Sequence, residues 1–291
     1  MNPARLVFYG VLAVATAAFL AGAVRSAGSY PDKRAPTPLE MIIGFGVNFL
    51  DALGIGSFAP TSALCKLFRL VPDEQIPGTL NVGLTPTALV EALIFVTAVL
   101  VDPLLLLAMV VSAAAGAWLG AGYVARMPRR YIQIGMGIAL LIAGTVFVAK
   151  NLGWLPGDGL AMSLGGWRFA LAVGINFGLG ALMSVGIGLY APCMITLALL
   201  GMHPIAAFPI MMGSCALLQP IASLRFFATG RYGWGTSLGL TIGGIFGVLV
   251  AVYVVKSLPL EALRWLVIVV ISYAAVAMLR AALAKPVPSP A

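Results

Sequence analysis

Gly54-Ile55-Gly56-Ser57-Phe58-Ala59-Pro60 returns 132 residues later as Gly186-Ile187-Gly188-Leu189-Tyr190-Ala191-Pro192. Each copy places glycines and a proline inside an apolar stretch of membrane-spanning length. Corresponding Gly/Pro interruptions in the two halves of a hydrophobic chain indicate the substrate site of a membrane transporter. The same spacing, without a gap, pairs Phe45 with Phe177, Gly46 with Gly178, Pro72 with Pro204, Pro77 with Pro209 and Phe95 with Phe227.

The composition is that of a polytopic membrane protein. The 291 residues are 61% hydrophobic and 9% charged, with a mean hydropathy of +1.05. Soluble domains carry about 25% charged residues. The net charge of +8 comes from basic residues scattered through short loops, a pattern that does not indicate a nucleic-acid partner. The lipid bilayer is therefore the expected surroundings of most of the chain.

The three cysteines do not indicate a metal site or a disulfide. Cys65, Cys193 and Cys215 form neither a CxxC pair nor a cluster with the single histidine. Gly54 and Gly56 do not belong to a dinucleotide fingerprint, because no strand precedes them and no third glycine completes it. We therefore expect no metal and no cofactor. Because the sequence contains no nucleotide-binding motif, any driving force for transport is an ion gradient or the membrane potential, unless a partner supplies it.

Apolar runs divide the chain into two similar halves. Two stretches, 39–70 and 168–202, are too long for one helix and contain the Gly/Pro motifs. We assign residues 1–38 to an N-terminal transmembrane helix and a cytoplasmic loop, 39–151 to repeat 1, 168–284 to repeat 2 and 285–291 to a tail. A cleaved signal peptide is the competing interpretation of the first run. The remaining spans are predicted at about 6–24, 76–100, 104–125, 131–150, 204–228, 235–256 and 263–283, since about 20 residues cross a bilayer.

Loop charges set the predicted topology. Basic residues in the 25–34 and 126–130 loops mark both as cytoplasmic, whereas Asp102 marks the 101–103 turn as external. The stretch 39–70 then enters and leaves on the cytoplasmic side, either as a re-entrant helical hairpin or as two short spans. Each half is such a hairpin plus three spans. The odd number of crossings inverts the second half, with the N-terminus outside and the C-terminus cytoplasmic. The predicted fold is an all-α membrane protein of two inverted repeats, with one extra N-terminal helix.

A broken helix inside a bilayer can bind an anion without lysine or arginine. Irregular backbone at membrane depth is tolerated only where protein or a water-filled cavity satisfies its polar groups. In each motif we expect one helix to end at the glycines and another to start at the proline, which suits a first helical turn. The new N-terminus presents free N–H groups and about half a positive charge. Two such ends are expected to face each other near the midplane.

Polar side chains beside the motifs could complete this pocket. The alternative is that each Ser or Thr only bonds its own helix or joins neighbouring helices. The predicted substrate-binding residues are Gly54, Gly56, Ser57, Pro60, Thr61 and Asn81 from repeat 1, and Gly186, Gly188, Tyr190, Pro192, Cys193, Ser214 and Gln219 from repeat 2.

Two acidic residues near membrane depth are candidates for ion coupling. Intramembrane ionisable groups are costly and are functional candidates by default. Glu91 lies in the middle of a predicted span, and Asp51 lies five residues before Gly56. The alternative for Glu91 is a structural ion pair with Arg225. The alternative for Asp51 is an exposed position at the rim of the site.

The two motifs resemble the sulfite exporter TauE/SafE family, also called the 4-toluene sulfonate uptake permeases. The resemblance rests on the doubled Gly-x-Gly-x-x-x-Pro element and on Pro72 and Pro204 at the start of the next helices, and it covers about residues 39–283. It implies transport of sulfur-containing anions such as sulfite or organosulfonates, commonly out of the bacterial cytoplasm. The first motif has fewer glycines than is usual in the family, which leaves the substrate open.

We therefore predict a non-enzymatic secondary transporter of small sulfur-containing oxyanions in the bacterial inner membrane, working by alternating access. Its expected partners are the anion and the bilayer, and a homo-oligomer stays open. An anion channel with the same pocket is the first alternative. An intramembrane enzyme is the second, but one histidine and the lack of an Asp/Glu/His cluster argue against it.

Overall fold

A computed structural model describes residues 3–29, 34–120, 161–183, 189–257 and 260–283, together with scattered residues between 130 and 154. Within these ranges the chain is helical and forms no strand. Short 3-10 turns at Asp73–Gln75 and Pro204–Ala206 precede two of the helices, and a π-helical turn at Gly116–Gly120 extends another. The helices are α1 (Pro3–Ser29), α2 (Pro38–Ala52), α3 (Phe58–Leu67), α4 (Ile76–Ala98), α5 (Pro103–Ala115), α6 (Gly166–Met183), α7 (Tyr190–Leu199), α8 (Ala207–Thr229), α9 (Trp234–Ser257) and α10 (Leu260–Leu283).

Five of the described helices are long and apolar enough to cross a membrane. They are the segments Leu6–Gly28 of α1, Ile76–Ala98, Gly166–Met183, Ala207–Thr229 and Trp234–Val254. Of these, α4 and α8 are the most enclosed, with 72% and 83% of the apolar window buried, so they form the centre of the protein. The chain is a multi-pass membrane protein, as its composition predicts.

The helix boundaries repeat at the spacing of the sequence motif. A shift of 132 residues carries both ends of α3 onto both ends of α7. The same shift carries α4 to within one residue of α8. The predicted span at 104–125 is shorter as a regular α-helix, because α5 gives way to the π-helical turn after Ala115.

The helices α3 and α7 are too short to cross a bilayer alone. Each has ten residues, which gives a length of about 15 Å at 1.5 Å per residue. The hydrocarbon core is about 30 Å thick. Each therefore reaches only half-way, which favours the re-entrant form of the 39–70 stretch over a pair of short spans.

Each hairpin packs against a helix of the other half. Phe45 of α2 lies beside Gly247 of α9, and its counterpart Phe177 of α6 lies beside Gly116 at the end of α5. In both pairs the helices run in the same direction and the glycine lets the backbones touch, as is usual between membrane helices. The contact is reciprocal between the halves.

The central helices α4 and α8 run antiparallel. The Thr85 and Ser223 hydroxyl oxygens are 3.2 Å apart. Near the C-terminal end of α4 and the N-terminal end of α8, the Phe95 and Phe208 rings stack with centroids 5.4 Å apart. Because α4 and α8 occupy equivalent places in the two sequence repeats, corresponding helices of the two halves point in opposite directions at this contact.

A buried carboxylate ties the start of α2 to the start of α9. Glu40 is fully buried and accepts hydrogen bonds from the Thr37 N–H group at 2.8 Å and from Thr236 Oγ1 at 2.5 Å. The Arg34 guanidinium binds both Glu40 oxygens, at 3.0 and 2.5 Å. Glu40 and Thr37 also form a capping box at the N-terminus of α2. The predicted 39–70 hairpin is thus anchored at its entry.

Two glycines on α2 provide a matched test of the α2–α9 contact. A Cβ at Gly44 would lie 2.7 Å from the Leu240 carbonyl oxygen, whereas a Cβ at Gly46 would meet nothing within 4 Å. Gly44→Ala should lower the free energy of unfolding by about 1–3 kcal/mol through overpacking. Gly46→Ala should leave it unchanged or raise it by up to about 1 kcal/mol through helix propensity. Thermal unfolding in detergent measures both, and equal effects would contradict the packing described here.

Candidate functional site

The first helix break lies between α2 and α3 and is closed by a Schellman motif. The Ile55 N–H group donates to the Leu50 carbonyl at 3.0 Å, and the Gly54 N–H group donates to the Asp51 carbonyl at 2.7 Å. Gly54 has a φ of +94°, which the motif requires and which glycine adopts without a steric cost. The helix therefore ends at the glycines, as the sequence predicts.

The helix α3 begins two residues before the predicted start. Ser57 is its N-cap and the Thr61 N–H group donates to the Ser57 carbonyl at 3.0 Å, so Pro60 is the third residue of the helix. A proline there is still in the first turn, where a missing N–H group costs no helical hydrogen bond. Phe58 rather than Pro60 thus defines the N-terminal end.

The second break resembles the first in the residues that the structure describes. α6 ends at Met183, and α7 starts at Tyr190 with Leu189 as its N-cap. The Cys193 N–H group donates to the Leu189 carbonyl at 3.0 Å. The predicted site residues Gly186 and Gly188 lie outside the described residues.

Both breaks line one cavity of about 70 Å³. Residues from α2, α3, α6, α7 and α8 surround it, and α10 adds Tyr273 and Ala277. No lysine or arginine is among its described lining residues. Of the predicted site residues, the lining includes Asp51, Gly56, Ser57, Pro60, Tyr190, Pro192 and Gln219.

Two buried carboxylates belong to this region. The Ser57 hydroxyl donates to Asp51 Oδ2 at 2.9 Å, and the Tyr190 hydroxyl donates to Glu91 Oε2 at 3.2 Å. Asp51 is 3% exposed and Glu91 is fully buried. Glu91 Oε1 has no hydrogen-bond partner. Tyr190, from repeat 2, thereby connects the second break to α4 of repeat 1.

The family model of the sulfite exporter TauE/SafE matches residues 2–147. The chain belongs to the sulfite exporter TauE/SafE family. The match spans half of the chain and includes the first break, so the resemblance predicted from the doubled motif is confirmed. No curated protein and no solved structure matches the chain. A membrane transporter family agrees with the apolar helices of the fold.

The alternative partner for Glu91 is not seen in this TauE/SafE protein. The Arg225 guanidinium lies 5.5 Å from the centroid of the Trp118 ring, and its side chain is exposed. The ion pair that the structure does describe joins Arg34 to Glu40. The exposed-rim alternative for Asp51 is also wrong, since its side chain is buried.

Several predicted site residues lie outside the cavity lining. The position that a Cβ would occupy at Gly54 faces Met211 and Phe208. Cys193 is buried in α7. Three more bond the backbone of their own segment: Thr61 to the Ser57 carbonyl, Asn81 to the Pro77 carbonyl and Ser214 to the Ile210 carbonyl. Glu91 is also outside the lining, where it accepts the hydrogen bond from the Tyr190 hydroxyl. Ser214 also accepts from Asn176 Nδ2 at 3.2 Å.

Sequence reasoning missed eight residues of the lining: Ile55, Phe58, Leu189 and Ala191 within the two motifs, and Met183, Cys215, Tyr273 and Ala277 outside them. Met183 ends α6, Cys215 lies on α8 and Tyr273 lies on α10. Met183 is the counterpart of Asp51 at the repeat spacing, a signal that the doubled motif itself contains. Tyr273 has no such signal, because it lies in an ordinary apolar run far from either motif.

A larger cavity, of about 1020 Å³, lies at the helix ends that the loop charges assign to the cytoplasm. Its lining includes the basic residues Arg25 and Arg34. It is bordered by the end of α1, the segment after α3, the end of α8 and the start of α9. This basic vestibule (lined by Arg25, Ser26, Arg34, Gln75 and Thr229 among others) carries the charge of Arg25, whereas the charge of Arg34 is paired with Glu40.

Gly56 is the most direct test of the first break. Its φ of +89° is a conformation that a β-branched residue rarely adopts. Gly56→Val should abolish sulfite transport, because it distorts the approach to α3, while the protein still inserts in the membrane. Sulfite flux into proteoliposomes measures the effect, and Gly46→Val is the matched control, because a Cβ at this helical glycine outside the cavity meets nothing within 4 Å. Unchanged flux in Gly56→Val would contradict a role for this break.

Proposed function

We propose that this protein is a secondary transporter that moves small sulfur-containing oxyanions, sulfite among them, across the bacterial inner membrane. The observation that carries the proposal is the shared cavity, into which two half-length helices direct their N-terminal ends. Helix N-termini bind anions through free N–H groups and the helix dipole. Membership of a sulfite exporter family supports the choice of anion.

The transport mechanism we infer is alternating access between two inverted halves. Antiparallel packing of the equivalent helices α4 and α8 supports the inversion. Reciprocal packing of α2 on α9 and of α6 on α5 supports it too, because a two-fold relation pairs each surface with its counterpart. In transporters of this plan the substrate lies at the interface of the repeats, and the repeats rock around it.

The size of the cavity favours a small anion. A volume of about 70 Å³ holds few molecules of water, each of which occupies about 30 Å³ in the liquid. One oxyanion of sulfite size fits this space, whereas an aromatic sulfonate requires the cavity to widen. The N-terminus outside and the C-terminus in the cytoplasm would place the basic vestibule on the side from which an exported anion arrives.

Proton coupling through Asp51 and Glu91 is part of the proposal, and it is supported by Asp51 in the cavity lining and by Glu91 outside the lining, where it accepts the hydrogen bond from Tyr190. Tyr190 and Cys215 also lie within electrostatic reach of both carboxylates, and Tyr273 faces the cavity from α10. Two unit charges 5 Å apart repel by about 3 kcal/mol at an effective dielectric constant of 20. An anion beside two ionised carboxylates is therefore strongly disfavoured. We infer that at least one carboxylate takes up a proton when the anion binds.

Reconstituted protein tests the transport activity. Sulfite, sulfate, thiosulfate and methanesulfonate are offered to proteoliposomes, with an imposed proton gradient as the only driving force. Accumulation of sulfite above its external concentration is expected. Flux that only ever runs down the sulfite gradient would favour the anion channel instead, and no flux of any of the four anions would overturn the proposal.

Glu91→Gln tests the coupling. This variant keeps the shape and the bond from Tyr190 but removes the titratable group. Proton movement that accompanies thiosulfate flux should fall at least about tenfold, as measured with a pH-sensitive dye inside the vesicles; thiosulfate is used because it carries no proton near neutral pH. Glu74→Gln, at an exposed carboxylate outside both cavities, is the matched control. Equal proton flux in the two variants would contradict the role of Glu91.

A further inference from the structure

The two half-helices that meet at the cavity differ at their N-terminal ends. At the repeat spacing, Asp51 corresponds to Met183 and Ser57 corresponds to Leu189. The end of α3 is therefore accompanied by a carboxylate and a hydroxyl, whereas the equivalent positions beside α7 are apolar. Two ends of similar geometry thus present different chemistry to the same cavity.

The end of α3 already has an anionic neighbour. Asp51 lies in the last turn of α2, where the carbonyl ends of a helix disfavour negative charge, and its carboxylate accepts the hydrogen bond from Ser57, the N-cap of α3. A carboxylate beside a helix N-terminus is stabilised by the free N–H groups and the dipole there. A second anion at this end would have to share those groups with Asp51.

Among the described residues, no carboxylate bonds the N-cap residue of α7, and Glu91 bonds the Tyr190 hydroxyl instead. Leu189 makes no side-chain cap, and the N–H groups of Tyr190 and Ala191 fall in the first turn, which lacks intrahelical acceptors. Gln219 lines the same cavity, is 1% exposed and has no partner for Oε1. Rotation about its last side-chain bond exchanges the oxygen and the NH₂ group, so this amide can donate to a bound oxyanion.

We propose that the anion binds at the end of α7 alone, through the N–H groups of Tyr190 and Ala191 and the amide of Gln219, while Asp51 occupies the end of α3. The inference rests on the proposed transport function and assigns different roles to the two breaks. The ligand class is a small oxyanion whose oxygens accept two or three hydrogen bonds. Asp51 at the N-terminal end of α3 takes up the proton, and the N-terminal end of α7 binds the anion.

Ala59 and Ala191 provide a matched pair for the test. They are repeat counterparts, each the second residue of its half-helix and each followed by proline. Proline at either position removes one N–H group from the first turn of a helix, and the change in side chain is the same small one in both variants. Ala191→Pro should weaken sulfite binding by about tenfold or more, the loss expected for one hydrogen bond to a charged ligand. Ala59→Pro should change it less than about threefold.

Calorimetric titration of sulfite into the full-length protein in nanodiscs measures both affinities, and circular dichroism checks that both variants keep their helices. Equal losses, or a loss confined to Ala59→Pro, would overturn the assignment. Asp51→Asn gives an independent result without a proline: sulfite should bind at least as tightly as in the wild type, because a negative charge has left the cavity. A tenfold weaker affinity in Asp51→Asn would also overturn the assignment.

The wild-type measurement distinguishes a failure of the one-sided anion site from a failure of the proposed transport function. If the wild-type protein binds and transports sulfite but the two proline variants lose affinity equally, the one-sided site is wrong and the transport function stands. If the wild-type protein binds and transports none of the anions in the flux screen, the proposed function fails and the one-sided site fails with it.

Discussion

Backbone polar groups inside a bilayer must find partners, and the rest of this structure depends on how the two broken helices meet that requirement. Water is not present in the hydrocarbon region to satisfy them, and each unsatisfied group costs several kcal/mol. At the first break the Schellman bonds satisfy the end of α2, and the cavity receives the start of α3. A cavity is needed at that depth, and this need is the reason why we propose an anion site at a local interruption of a helix.

The positions of the breaks depend on close contact between helices of different halves. Gly44 and Gly247 let α2 approach α9, and Gly116 and Gly180 let α5 approach α6. Packing between helices drives their association in lipid, where apolar surface gains little by leaving the solvent. Glu40 adds a polar anchor at the start of α2 that has no counterpart in the second half, because the residue at the repeat spacing is Ala172. The second half has different polar contacts, in which Ser112 Oγ donates to the Val173 carbonyl and Asn176 Nδ2 donates to the Met109 carbonyl.

The doubled motif predicts much of the architecture because its signals are local. Glycine, proline and apolar length determine where helices stop and restart, and the predicted restart differs from the structure by two residues. The inversion of the halves stays a prediction that the antiparallel α4–α8 contact supports. The bond from Arg34 to Glu40 and Thr236, and the place of Tyr273 at the cavity, could not be predicted, since each depends on packing between residues far apart in the chain. Ser214 and Thr61 are among the predicted site residues, but their hydroxyls bond backbone carbonyls of their own segments. Nothing in their sequence spacing distinguishes such a residue from one that binds a ligand.

The half-length of α3 and α7 also has an electrical consequence. A cavity at their ends lies about half-way through the hydrocarbon layer, so a charge that moves between it and either aqueous phase crosses about half of the voltage across the membrane. At 100 mV this corresponds to about 1 kcal/mol per elementary charge. Under the proposed alternating access, the charge of the anion together with Asp51 and the nearby Glu91 sets how the voltage acts on the loaded step. The charge on the two carboxylates alone sets how it acts on the return of the empty carrier.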